Sequence, residues 1–118
     1  MRKFSVAISG IIYAIRHQNS FLVHLPVAFA VVAVGCWLRL ESWRWVAITF
    51  AITIVISAEL LNTAIEEMVA VVHPEHHPRI GRALDTAAGA VFVATVGAIV
   101  VGLITLGFPL WKAILSGV

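Results

Sequence analysis

The chain has 118 residues, 61% of them hydrophobic and 12% charged, with a mean hydropathy of +1.01, against roughly a quarter charged in soluble domains. That length allows one domain, and that composition excludes both a water-soluble domain and a disordered chain, because apolar surface is in excess. Eight basic and six acidic side chains are too few and too scattered to make a nucleic-acid face, and the lone Cys36 has no disulfide partner and reads as a small buried hydrophobe.

Residues Arg2 to His17 are too polar to cross a bilayer. Phe4, Ile8, Ile11, Ile12 and Ile15 recur at spacings of three and four, which predicts a surface helix over about 2–17 with Arg2, Lys3 and Arg16 in reach of lipid phosphates. A first span is predicted over about 21–40 from the eighteen uncharged residues Phe21 to Leu38, with Pro26 near its start, where a missing amide donor costs least. A second, over about 45–72, is uncharged only from Trp45 to Ala58. Fourteen residues reach ~21 Å, so this helix must carry the polar stretch from Glu59 onward to complete the crossing. His73 to Pro78 reads as a turn, with Pro78 suited to the first turn of the helix that follows. The third span, about 80–111, holds twenty-six uncharged residues from Thr86 to Trp111. Its Ala83, Ala87, Ala90, Ala94, Ala98 and Gly102 form a stripe predicted to pack within or between subunits. The expected architecture is an all-α membrane protein, one membrane domain over 1–118, made of an N-terminal amphipathic surface helix and three transmembrane helices.

Five Lys and Arg residues (Arg2, Lys3, Arg16, Arg79, Arg82) fall on one side of the predicted spans and three (Arg39, Arg44, Lys112) on the other, which places the N-terminus in the cytoplasm. Trp37, Trp43, Trp45 and Trp111 then mark the opposite interface. Glu59, Asn62 and Glu66 share one face of the second span, in its cytoplasmic half, with the two acids ~10 Å apart along the axis. A carboxylate at that depth costs about 2.5–3.5 kcal/mol on the insertion scale, so this face must meet a cavity, a partner or a cation. Glu67, turned ~100° away, reads as a solvated charge. Asp85 suits a helix N-terminus without further purpose, and the histidines of the turn read as a polar loop. His24, just inside the first span, fits a proton carrier, a ligand or a headgroup-level polar group. Two carboxylates and an amide suit magnesium and phosphoryl transfer, and equally a proton-coupled transporter. Neither G-x-x-x-x-G-K-[ST] nor G-x-G-x-x-G is present.

The run Glu59-Leu60-Leu61-Asn62-Thr63-Ala64-Ile65-Glu66 resembles the E-[LI]-[LI]-N-[ST]-A-I-E signature of the small prokaryotic lipid kinases, the diacylglycerol kinase and undecaprenol kinase family. His77 to Val91 is similar to that family's loop and third-helix entry, which usually ends A-K-D-x-A-A-G-A-V, and Phe4-x-x-Ala7-x-x-Gly10 fits its surface helix. The resemblance implies an ATP- and magnesium-dependent kinase of a membrane lipid alcohol in the bacterial inner membrane, acting as a homotrimer with sites between subunits. It implies Glu59 as general base, Asn62 as a site asparagine and Glu66 as a metal-holding carboxylate. Asp85, with Gly81 in the same stretch, would belong to the nucleotide end.

Three positions depart from the pattern. The family's second metal-holding glutamate, just before the first span, is Gln18 here, which offers an oxygen without a charge; the lysine of A-K-D is Leu84; and an aspartate four residues past the signature is Ala70. The readings that follow are an active lipid kinase, a weak or inactive relative serving as a binding or assembly subunit, and a transporter. The sequence does not choose between diacylglycerol and a polyprenol.

Overall fold

The computed structural model describes residues 2–117. Four helices run in order, α1 (Arg2–His17), α2 (Phe21–Leu38), α3 (Ser42–Val72) and α4 (Pro78–Leu115), with no strand among the described residues. Of these, α2, α3 and α4 are long and apolar enough to cross a membrane. Very little of the chain is covered by itself: Ala14, Phe21, Ile48 and Val55 are the buried hydrophobic residues, while large side chains such as Phe29, Phe92 and Leu103 are at least two-thirds exposed. Such a surface is stable in hydrocarbon and not in water.

The surface helix behaves as its periodicity requires. Phe4, Ile8 and Ile12 are exposed on one side, while on other flanks of the helix Ala14 is buried and the Tyr13 hydroxyl reaches α3. The apolar face is thereby left for lipid.

The first span ends at Leu38 because Arg39 turns left-handed (φ 54°) and returns its amide to the carbonyls of Gly35 and Cys36. The chain can then reverse over three residues into α3. Trp45 packs against Gly35 in this reversal: a Cβ built on Gly35 would lie 2.8 Å from the Trp45 ring and 3.1 Å from Leu40 Cδ1. Gly35→Ala is therefore expected to lower stability by about 1–3 kcal/mol through overpacking, read as a lower thermal midpoint in detergent with the helical content kept. Cys36, next to it, is exposed. The expectation of a buried thiol fails because the covered side of α2 here is its glycine face. Pro26 also lies further in than expected, as the sixth residue of α2, so the carbonyl one turn before it, that of Leu22, has no proline amide to accept.

The opening of α4 follows its sequence. Pro78 stands in the first turn and the His77 imidazole accepts the Arg79 backbone N–H at 3.1 Å. Near the other end Pro109 interrupts the ladder, and the carbonyl it leaves free, Thr105 O, accepts from Arg44 Nη1 of α3 at 2.9 Å, with Ile104 O at 3.3 Å. Arg44 Nε also pairs with Glu41 at 3.1 Å.

The hairpin of α3 and α4 is the main packing pair, and α2 lies against both. Within the α4 stripe, Ala87, Ala94, Ala98 and Gly102 are half-buried, whereas Ala83 and Ala90 are exposed. The covered face of α4 thus takes in four of the six, with Leu84 and Val91 in place of Ala83 and Ala90, its line set by α3 rather than by residue size alone. A cavity of about 180 Å³ remains between the three spans, walled by apolar side chains except for His24 and Thr95. The Thr95 hydroxyl is occupied by the Val91 carbonyl.

Candidate functional site

Three segments meet beside the polar face of α3: the end of α1, the link Gln18 to Ser20, and the first turns of α2. Glu59 sits at the centre, 2% exposed. Its Oε2 accepts the Ser20 hydroxyl, and its Oε1 lies 2.9 Å from His24 Nδ1. That second contact is close in distance but off-line, so neither atom has an aligned hydrogen bond.

One to two turns toward the α3–α4 turn, Glu66 takes amide donors on both oxygens: Gln18 Nε2 at 3.1 Å on Oε2, and Asn62 Nδ2 on Oε1. Asn62 Oδ1 is left buried without a partner. Thr63, also buried, returns its hydroxyl to the Glu59 carbonyl. Among the described residues no three His, Cys, Asp or Glu side chains gather as a metal site. Oxygen ligation here would combine one carboxylate with two amides.

Sequence spacing already aligned Glu59, Asn62 and Glu66, and the structure adds Gln18 to them. It does not add Asp85 or Gly81. Asp85 is exposed on α4, about as far past the turn as Glu66 is before it. Gly81 is half-buried, and a Cβ there would make only an ordinary 3.8 Å contact with the His76 ring. In the turn itself, His73 Nδ1 lies 2.8 Å from the Glu75 carbonyl and the His73 and His77 rings meet edge-on.

Two participants were hidden in the sequence. Ser20 stands at the N-cap position of α2, where a serine ordinarily bonds its own helix, yet its backbone is helical and its side chain caps nothing. Its hydroxyl goes to Glu59, thirty-nine residues away. Tyr13 donates to Glu67 Oε2 at 2.8 Å, so Glu67 is an exposed charge with a partner on α1. This hydrogen bond, followed by desolvation and the Glu67 charge, raises the Tyr13 pKa above its ordinary 10.0. A raised phenol pKa means that the contact is intact below the ordinary value and is lost as pH rises through the raised one. Tyr13 is the chain's single tyrosine. Its phenolate absorbance should therefore titrate above free tyrosine in the parent and return toward it in Glu67→Gln; identical midpoints would remove the contact.

The arrangement offers a buried carboxylate beside His24, which lines an apolar cavity, and a second carboxylate held between two amides nearer the turn. A family profile described as prokaryotic diacylglycerol kinase matches residues 5–106. The chain is 38% identical to an undecaprenol kinase of Bacillus subtilis over 103 residues, 87% of this chain and 84% of that one. It is 35% identical to a diacylglycerol kinase of Synechocystis over 84% of this chain and 57% of the relative, and 35% identical to the diacylglycerol kinase of Escherichia coli K12 over 69% and 63%. The match thus spans less than two-thirds of the length of the latter two. With the signature face of α3 assembled as described and the profile covering nearly the whole chain, this protein belongs to the prokaryotic diacylglycerol kinase family.

Proposed function

We propose that the protein transfers the γ-phosphate of ATP, as its magnesium complex, to the hydroxyl of a membrane lipid at the cytoplasmic interface. The observation that carries this reading is the position of Glu59, buried beside His24, which lines a cavity that only apolar chains suit, with Asn62 and Glu66 successively nearer the α3–α4 turn and Gln18 bonded to Glu66. Names among the relatives, undecaprenol kinase and diacylglycerol kinase, supply the acceptor class: an alcohol on long hydrocarbon chains.

Glu66, Gln18 and Asn62 would hold magnesium. Their oxygens are the hard donors that this ion takes, and the unpartnered Asn62 Oδ1 is the kind of atom a cation satisfies. Gln18 and Asn62 would turn their carbonyl oxygens inward to do so. Bound magnesium and nucleotide supply the phosphoryl group and neutralise its charge. Glu59 provides the negative charge that draws the proton from the attacking hydroxyl, and Ser20 fixes one carboxylate oxygen so that the other stays oriented. Asp85 and Gly81 on α4 are assigned to the nucleotide end. In this reading the protein assembles as a homotrimer, further copies covering part of the exposed apolar surface of α2 and α4 and lipid the rest. The excess of Lys and Arg on the α1 side supports an inner-membrane protein with a cytoplasmic N-terminus.

The test is transfer of labelled phosphate from ATP to diacylglycerol and to undecaprenol by the purified protein in mixed micelles, with and without magnesium. Magnesium-dependent labelling of one or both lipids is expected. Neither lipid labelled, with ATP equally unconsumed in both, would sink the proposal.

A further inference from the structure

Glu59 does not reach the cavity. It is 2% exposed and absent from the cavity walls, whereas His24 lines them. Among the described residues His24 is also the only titratable side chain facing that space: α3 contributes Ile48, Val55 and Ile56 to the wall, and α4 contributes Thr95 and Ala98. An alcohol whose chain lies in the cavity therefore meets the imidazole before it meets the carboxylate.

The ring is oriented for such an encounter. Its Nδ1 faces Glu59 Oε1 at 2.9 Å, so Nε2, on the far side of the imidazole, points away from the acid. Ser20 holds the other carboxylate oxygen. Neither Nδ1 nor Oε1 has an aligned hydrogen bond to any group, so each is left with the other as its nearest polar neighbour. A buried carboxylate at Nδ1 with a free Nε2 is the arrangement that fixes an imidazole tautomer and stabilises the imidazolium that forms when Nε2 takes a proton.

We propose that His24, backed by Glu59, takes the proton from the lipid hydroxyl, so that the family signature's first glutamate acts here through a histidine on α2. The inference rests on the lipid kinase reading. In the step, the hydroxyl oxygen forms a bond to the γ-phosphorus of ATP while the bond from that phosphorus to the bridging oxygen breaks and ADP leaves. The hydroxyl proton passes to His24 Nε2. Glu59 remains ionised and balances the imidazolium through Nδ1–H, and Nε2 then returns the proton to water.

Three measurements on the whole protein test the dyad. In nitrogen-15 histidine spectra, the parent should show His24 as the Nδ1–H tautomer, and Glu59→Gln should lose that preference; a parent ring without a proton on Nδ1 overturns the proposal. Turnover of His24→Gln should fall by about 10²–10⁴-fold with the Mg-ATP KM nearly unchanged. Turnover within about threefold of the parent overturns it. Because that variant could lose activity through misfolding, His24→Ala is assayed with added imidazole, whose diffusion into the vacated space should restore part of the turnover; no restoration overturns the proposal. A parent that phosphorylates no lipid alcohol overturns the kinase reading and the dyad with it, whereas an active parent with an active His24→Gln overturns the dyad alone.

Discussion

Glu59→Gln is expected to lower lipid phosphorylation by about 10²–10⁴-fold, the range in which a positioned acid–base group contributes. Glutamine is nearly isosteric, and its oxygen still accepts from Ser20, so the link between the α2 entry and α3 survives. What disappears is the charge beside His24 Nδ1. The variant should keep the parent's assembly size and its affinity for Mg-ATP, both measurable without turnover, while phosphate transfer to lipid collapses. Turnover near the parent's would take Glu59 out of the chemistry whether it acts directly or through the histidine.

The second large effect belongs to Glu66, the one carboxylate within the amide set formed by Gln18 and Asn62. Glu66→Gln leaves neutral oxygens alone to hold a divalent cation. With a charge-assisted contact taken as about 1.5–3 kcal/mol, the apparent affinity for Mg-ATP should fall by roughly one or two powers of ten. Lipid binding should change far less, and equal losses of both would indicate a general disturbance of α3. The converse holds for Gln18. Its side chain already reaches Glu66, so Gln18→Glu sets two carboxylates together, a pair that repels without magnesium and coordinates it when present. Combined with Leu84→Lys on α4, it should tighten Mg-ATP binding by a comparable factor. If the double variant leaves affinity and turnover as they were, these two positions do not meet the metal and phosphate.

Helical periodicity carried most of the architecture. The acids of α3 aligned at spacings of three and four because one helix fixes both their positions and their common face. The three apolar runs likewise had one solution each in a bilayer. Contacts across the sequence were another matter. Ser20 looks like a helix cap until α3 is placed beside it, since the same hydroxyl satisfies either role. His24 kept three readings open because its partner lies thirty-five residues on, and nothing local to α2 points there. The stripe of small residues on α4 was legible as a kind of surface but not as a direction: Ala83 and Ala90 turned outward because the line of contact follows the crossing with α3. Cys36 failed for a related reason, since a chain that covers so few of its apolar residues leaves most of α2 exposed.

Arg44 and Pro109 are joined by a contact that neither helix would form alone. The proline withdraws a donor from Thr105 O, and the guanidinium supplies one from α3. Restoring an amide at position 109 would close the α4 ladder and make the guanidinium, only 11% exposed, share Thr105 O with a backbone donor, leaving Glu41 as its main partner. Removing Arg44 instead would leave a bare carbonyl at the end of a membrane span. Each single change is therefore costlier than the two together, so the pair should be exchanged as a unit. Lineages that straighten α4 are expected to surrender the arginine, and those that keep it to retain the break.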